Sequence, residues 1–452
     1  MYVNTLLKAP WGPWAVGLVV ASATPLGAQT LDSSPATPGF LSATATGDSI
    51  TLEVVLSQVR DRNPRLQALE AAAQAAEYRE PEASTLPDPT LQLGVMNFGL
   101  PDFNADMPTS MAPSIQVMQR VPFPGKLSLK GDIASYGTEM ARAGAEEAWW
   151  TVREKASSMF YDLYALDRRL EVMRSTLALL KDFQQVAKAM YVAGTGHQAD
   201  VLRSDVEVAR MDGDIRQMEA MRTARAARLN ALLDRPADTE VPTPALGRLP
   251  VQVPDAATLR DWARESRPVL EQGRLGVARA GKRSELAHRQ IWPDLSLGFT
   301  YGQRNRGQGT ERMGSAVVGF SLPIHAGSRQ LAQRDEAAAM ERLAKAELGD
   351  READVDARIG ELLAELDRTR SLAALYREEV IPEAHATVES AFSSYRVGSV
   401  DFMTLVDAQM TVNRYEGELF QLLGEYGKAV AALESAVGRS LPNTGPVMAE
   451  ER

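Results

Sequence analysis

Four methionines, Met96, Met107, Met111 and Met118, crowd one stretch of the chain. Thioether sulfur is a soft ligand that suits Cu(I) or Ag(I). The stretch could therefore touch a soft cation in transit. The same residues serve equally well as flexible apolar filler, and their spacing follows no ligand pattern. The histidines, His197, His288, His325 and His385, are scattered. No pair has the i,i+4 spacing that puts two ligands on one helix face. There is no cysteine, which excludes disulfides, thiolate metal sites, a cysteine nucleophile and a cysteine-linked lipid. No phosphate loop, nucleophile elbow or zinc-protease motif is present. The expectation is a protein that is not an enzyme and carries no cofactor. The formal charge of −10 argues against a nucleic-acid partner, which calls for a basic face.

What elements would position such residues? The chain has 452 residues with 6% aromatics, and it is rich in Ala, Leu, Glu and Arg, a composition of long helices. Residues 1–28 hold a single charge, Lys8, then an apolar run from about Trp14 to Ala23 and the small residues that precede Ala23 and Ala28. This reads as a secretory signal peptide cleaved after Ala23 or Ala28. Residues 29–49 read as a flexible leader. No later segment has 18 uninterrupted apolar residues, so a membrane-seated mature protein would have to be a β-barrel.

The strongest signal is an internal repeat at an offset of about 204. Pro64 pairs with Pro268, Pro89 with Pro293, Leu91-Gln92-Leu93-Gly94 with Leu295-Ser296-Leu297-Gly298, Tyr191 with Tyr395, Gly194 with Gly398 and Arg235 with Arg439. Repeats of this kind decide an architecture before any single element does. The organisation expected is repeat one over 50–235, a proline-rich linker over 236–254, repeat two over 255–441 and a tail over 442–452. Each repeat opens with a helix of about 30 residues (52–82; 256–289). Two alternating segments follow (90–97 and 114–121; 294–301 and 314–321), whose period of two marks strands, with polar or Gly/Pro-rich loops between them (98–112; 302–313). A very long helix comes next. From about 127 to 192 its apolar ladder, Val152, Ala156, Met159, Leu163, Leu166, Leu170, Met173, Leu177 and Leu180, steps by four and three, the seam of a coiled coil. A weaker ladder runs from Val355 to Val380, and Pro382 should kink that helix. Gly194 and Gly398 end these helices, and the chain returns over 198–235 and 400–438. Four strands cannot close a barrel, and their edges would be exposed unless further copies join.

This plan of helix, two strands and a helical hairpin, written twice over about 50–441, resembles the TolC family of outer-membrane efflux proteins. Tyr395-Arg396-Val397-Gly398-Ser399 followed by Leu405-Val406-Asp407-Ala408-Gln409 carries the resemblance most locally, with Tyr191-Val192-Ala193-Gly194-Thr195 as its counterpart. Val121-Pro122-Phe123-Pro124-Gly125-Lys126 is similar to a stretch of the heavy-metal CzcC/CusC-like branch. The resemblance implies a mainly α fold with a small β part. It implies a homotrimer in which four strands per protomer make a 12-stranded membrane β-barrel, continued by an α-helical coiled-coil tunnel. It also implies residence in the outer membrane of a Gram-negative bacterium, in contact with its lipid and extending into the periplasm. Without a cysteine to acylate, the barrel itself must hold the protein there.

The function so implied is a passive exit duct of a tripartite system, working with a periplasmic adaptor (a membrane fusion protein) and an inner-membrane RND-type pump that exports heavy-metal cations. Drug efflux, or type I protein secretion with an ABC exporter, is the alternative. A secreted coiled-coil adhesion protein is a more distant one, for which two strand pairs would have no use. The resemblance places Val192, Ala193, Gly194, Thr195, Val397, Gly398 and Ser399 at a periplasmic tip that meets the adaptor. It makes Asp407 a ring of carboxylates at the channel entrance, where three copies would attract cations, and Tyr395 a hydrogen-bonding latch of that entrance. Thr404 stands where the family often has a second aspartate. Asp200 and Arg203 are the equivalents of Thr404 and Asp407 in the first repeat.

Overall fold

The computed structural model describes residues 49–97, 101, 110–250, 252–306, 309–442 and 447–448. The signal peptide, nearly all of the leader, Met107 and most of the tail lie outside them. The described residues all belong to one compact unit spanning 46–452.

A two-residue strand β1 (Ser49–Ile50) leads into α1 (Leu52–Arg62), α2 (Pro64–Glu77) and α3 (Arg79–Ser84). The single helix expected over 52–82 is thus broken, and the cause is Pro64. The residue before a proline is pushed out of the helical region, and Asn63 sits at φ −64°, ψ 117°. Its side chain accepts from the N–H groups of Arg65 (3.1 Å) and Leu66 (3.4 Å), capping α2. The second half breaks in the same way. There α6 (Ala256–Ser266) and α7 (Pro268–Arg289) are separated by Arg267, at ψ 115° before Pro268.

Strands β2 (Thr90–Met96) and β3 (Met111–Val121) form an antiparallel hairpin, as do β6 (Leu295–Arg306) and β7 (Gly309–Phe320). The two hairpins join through an antiparallel β3–β6 pairing into one sheet of order β2-β3-β6-β7. The second hairpin is longer than its alternation suggested. Most of the expected loop 302–313 is strand, because polar pairs such as Gln303 with Arg312 carry the ladder beyond the apolar rows. Met111 likewise begins a strand instead of lying in a loop.

From β3 the chain enters α4 (Lys126–Val192), 67 residues without interruption, about 100 Å at 1.5 Å per residue. It turns and returns as α5 (Gln198–Leu232). In the second half α8 (Gln330–Leu375) passes into a π-helical turn (Tyr376–Val380) and then α9 (Ile381–Arg396). The widened turn lies directly before Pro382, whose missing N–H breaks the regular bonding ladder. The return helix is α10 (Phe402–Val437). Between the halves, β4 (Thr243–Pro244) pairs with β1, and β5 (Leu249–Pro250) pairs with β8 (Val447–Met448).

The seam residues form the core. Val152, Ala156, Leu163, Ile359, Leu362 and Leu366 are buried with Leu229, Leu259, Tyr426 and Leu433 in one cluster. Leu170, Met173, Leu180, Phe183, Tyr395, Phe402, Leu405 and Val406 form a second, towards the hairpin turns. Helices α10 and α4 approach closely because α10 carries Gly424 and Gly427. A Cβ on Gly427 would stand 2.5 Å from the Tyr161 ring, well inside van der Waals contact.

Candidate functional site

The sheet sorts its side chains cleanly. Residues directly opposite across a ladder share a face, and the register puts Leu91, Val117, Phe299 and Ala316 in one row, with Gln92, Gln116, Thr300 and Ser315 in the next. One face therefore carries Leu91, Leu93, Val95, Ile115, Val117, Leu297, Phe299, Val318 and Phe320, all exposed. The other is mostly polar or small, with Met96, Met111, Met118, Met313 and Val317 as exceptions. A contiguous uncovered apolar face of this size marks an interaction surface, and alternation of apolar outside with polar inside is the pattern of a membrane barrel strand.

The sheet meets the helices at a clasp. Gly125, at φ +83°, turns the chain into α4. The Lys126 ammonium is buried. It donates to an Asp294 carboxylate oxygen and to the Trp292 carbonyl, each at 2.7 Å. Asp294 also accepts from the Phe123 N–H (3.0 Å), and Phe123 stacks on Trp292 with ring centroids 5.3 Å apart. The Asp294 N–H donates to the Ser321 hydroxyl at 2.9 Å. Partial burial pulls the Asp294 carboxyl upward. The Lys126 hydrogen bond, the Phe123 N–H and the charges of Lys126 and Lys130 outweigh it and hold the group below the usual carboxylate range. The clasp ties the ends of β3, β6 and β7 to one point. Half of it, Phe123 to Lys126, lies in the stretch quoted above for its resemblance alone. Asp294 and Trp292 were missed, although a lone carboxylate next to Pro293 at a strand start was a usable signal.

At the far end the two turns are alike. Gly194 and Gly398 take φ +74° and +72°, the left-handed geometry open to glycine. The N–H of Thr195 donates to the Met190 carbonyl and that of Ser399 to the Ser394 carbonyl, each at 3.0 Å and each reaching five residues back, the bond of a Schellman cap. Both hydroxyls reinforce it, Thr195 at 3.2 Å and Ser399 at 2.9 Å. No atom from elsewhere lies within 4 Å of a Cβ built on either glycine. Beside them Val192 and Val397 are 87% and 79% exposed, and Ala193 is exposed too.

Tyr395 is 3% exposed and packs edge-on against Phe402, with centroids 5.7 Å apart. Its hydroxyl makes no hydrogen bond within the chain among the described residues. Burial, then the negative charge of Asp200, pushes that hydroxyl's pKa up. Asp200 is buried beside this cluster, whereas Asp407 and Thr404 are exposed on α10. Asp407 offers its backbone carbonyl to the Thr411 hydroxyl at 2.8 Å. Its carboxylate faces away from the core that holds Leu405 and Val406. Asp401, not singled out from the sequence, caps α10 by accepting from the Thr404 N–H (2.9 Å) and hydroxyl (2.7 Å). Those two bonds and the nearby charge of Arg203 hold its carboxyl below the usual range.

The methionines do not converge. Met96 and Met111 stand opposite each other beyond a bulge in the β2–β3 ladder. Met111 is buried with its side chain against Gly302. Met118 lies seven residues along the same strand, about 23 Å away, so one ion cannot bridge the two. Among the described residues no cluster of three or more His, Asp or Glu is placed to hold a metal. No described helix is long and apolar enough to cross a membrane.

Comparison with known proteins agrees with this layout. Residues 259–439 match the family described as outer membrane efflux protein. The chain is 25% identical over 337 residues to nodulation protein T of Rhizobium leguminosarum bv. trifolii, covering 70% of this chain and 71% of that one. It is 21% identical over 395 residues to the cobalt-zinc-cadmium resistance protein CzcC of Cupriavidus metallidurans, covering 86% and 90%. Among solved structures the fold is similar to the outer-membrane channel OprN (TM-score 0.73, 18% identity, 86% of this chain and 89% of that one). It is also similar to VceC of Vibrio cholerae (0.73, 16%, 86% and 96%) and to CusC (0.74, 13%, 86% and 92%).

Proposed function

We propose, for a chain that belongs to the outer membrane efflux protein family, the role of passive outer-membrane exit duct in a tripartite efflux system. The uncovered apolar face of the four-stranded sheet carries this reading. In water such a face is unfavourable by roughly 25 cal/mol for each Å² exposed; in lipid it is at home. The free edges of β2 and β7 fit closure with copies of the chain. Three copies give a ring of twelve strands in the outer membrane, with the long helices as its continuation into the periplasm. Backbone groups of the strands are then all paired, which the hydrocarbon requires.

The duct binds no nucleotide and takes its driving force from an inner-membrane pump of the RND type. The exposed valines and bare glycines of the two turns form the surface for the periplasmic adaptor. A helical tip without side chains at Gly194 and Gly398 admits another backbone closely. Gating is a relative movement of the hairpin ends, with Asp407 projecting into the entrance and Tyr395 holding α9 against α10. The cargo we favour is a heavy-metal cation. Support comes from the relative CzcC, whose name records cobalt, zinc and cadmium resistance, and from the acidic residues at the tip. A strain lacking this chain should become sensitive to divalent metal salts and regain tolerance on complementation. Unchanged metal tolerance together with new sensitivity to hydrophobic drugs would move the cargo assignment to drug efflux.

A further inference from the structure

Below the sheet, between α3, α4 and α7, lies a cavity of about 1130 Å³. Four cations line it, Arg79, Lys130, Arg279 and Arg283, against two carboxylates, Glu82 and Asp88. Elsewhere on these helices basic side chains find acidic partners: Arg142 with Glu77, Lys282 with Asp132 and Glu285, Lys126 with Asp294. Among the described residues none of the four lining cations has an ion pair within 4 Å or a side-chain hydrogen bond. The Arg279 Nε–H is shielded from water and has no acceptor. Arg279 and Arg283 are one helical turn apart on α7, so their charges repel across the cavity wall. Burial, and after it the charge of Arg283, lower the Arg279 pKa.

The site's level is also defined. Lys130 stands four residues inside α4, about 6 Å from its start, and Arg283 six residues from the end of α7, about 9 Å. Both ends adjoin the strands. Trp292, at the clasp, is exposed, and so is Ile324 just after β7. Exposed tryptophan beside an apolar sheet marks a membrane–water boundary, and the headgroup layer beyond it is roughly 5–7 Å deep. Lys130 sits at that layer and Arg283 just below it, with Arg279 one further turn below, about 15 Å from the end of α7.

We propose that this cavity binds a phosphate-bearing anion through Arg79, Lys130, Arg279 and Arg283. Guanidinium pairs match the oxygens of a phosphate in two-point contacts. The volume far exceeds inorganic phosphate, and Leu86, Leu127, Ile133 and Leu286 give the walls an apolar part that would receive the upper chain of a phospholipid. The lipid source rests on the reading of the sheet as membrane-embedded; the phosphate chemistry does not.

The test is native mass spectrometry of the full-length protein in uncharged detergent. The probes are short-chain phosphatidylglycerol, the matching diacylglycerol without phosphate, and inorganic phosphate as competitor. Phosphatidylglycerol should bind and diacylglycerol should not. The double variant Arg279→Gln/Arg283→Gln should weaken binding by about tenfold or more, the loss of charge-assisted hydrogen bonds. The charge-matched variant Arg210→Gln/Arg216→Gln, on α5, should bind like the wild type. Competition by millimolar inorganic phosphate assigns the site to free phosphate, and failure to compete assigns it to the lipid headgroup. Equal binding of diacylglycerol, no binding at all, or wild-type affinity in the Arg279/Arg283 variant overturns the proposal. Circular dichroism checks folding; if the double variant does not fold, Lys130→Gln carries the same comparison.

Discussion

At the sheet end of the helices, Lys126 is buried, its ammonium bonded to Asp294 and the Trp292 carbonyl, and three strands are tied together within a few residues. At the turn end, Val192 and Val397 project into solvent, and a Cβ built on Gly194 or Gly398 would meet nothing within 4 Å. The helices join a satisfied polar knot to a pair of bare loops. A second contrast lies between the two hairpins. In the first, α4 runs unbroken for 67 residues. In the second, the matching path is divided by the π turn at Tyr376–Val380 and by Pro382. Tyr376 donates to Glu418 at 2.6 Å, and His385 lies 2.9 Å from Glu416, so α10 braces the irregular stretch. One hairpin has the build of a strut and the other of a jointed arm. For the duct proposed above, seated in lipid and opening at its far end, the order of stiffness is the useful one.

The largest expected effect tests the knot. Asp294→Ala leaves a buried ammonium with a single carbonyl partner. Breaking a buried pair costs about 3 kcal/mol at the lower end of the usual range, which fits an aspartate whose side chain is 31% exposed. Denaturant midpoints should show this loss, whereas Asp407→Ala, on an exposed helix face, should stay within about 0.5 kcal/mol of wild type. Equal losses would remove the contrast between the ends.

Next come the turns. Gly194→Ala and Gly398→Ala each force a Cβ into the left-handed region, at a cost of about 1 kcal/mol. Because both turns share one geometry, the two losses should agree, and a large difference would show that the likeness of the turns is not energetic. An effect of similar size separates the hairpins. Asp401→Ala removes a helix cap and should cost about 1 kcal/mol. His197→Ala, at the corresponding place before α5, should cost almost nothing, since His197 caps nothing.

The pH dependence follows from Asp294. Its folded pKa is lowered, so its stabilisation is complete above the ordinary carboxylate value of about 3.9 and is lost as pH falls through the lower folded value. Stability measured from pH 7 down to pH 3 should therefore decline less steeply in Asp294→Asn than in the wild type.

Much of this was legible in the sequence because each signal was local. The 3-4 ladder from Val152 to Leu180 announced α4, and paired Gly194 and Gly398 announced the turns. The breaks at Pro64 and Pro268 were equally legible as prolines, yet the helices around them read as continuous because proline at a first helical position is well tolerated. The β3–β6 pairing was not legible, since it joins residues about 180 apart and depends on register. Nor were Asp294, Asp401 or the cation cavity, which exist only when distant segments meet. Tyr395 illustrates the limit: the sequence raised the expectation of a hydrogen-bonding latch, whereas the packing shows a ring buried against Phe402 whose hydroxyl makes no hydrogen bond among the described residues.

The central claim, that this chain builds a transmembrane duct, is met most directly by single-channel recording in planar bilayers. Purified wild-type protein should insert and give discrete, small conductance steps. The variant Tyr395→Ala/Asp407→Ala, which loosens α9 from α10 and removes the carboxylate proposed for the entrance, should give larger steps with reduced cation preference. Protein that reconstitutes into the bilayer yet passes no current, in the wild type and in that variant alike, would contradict the account.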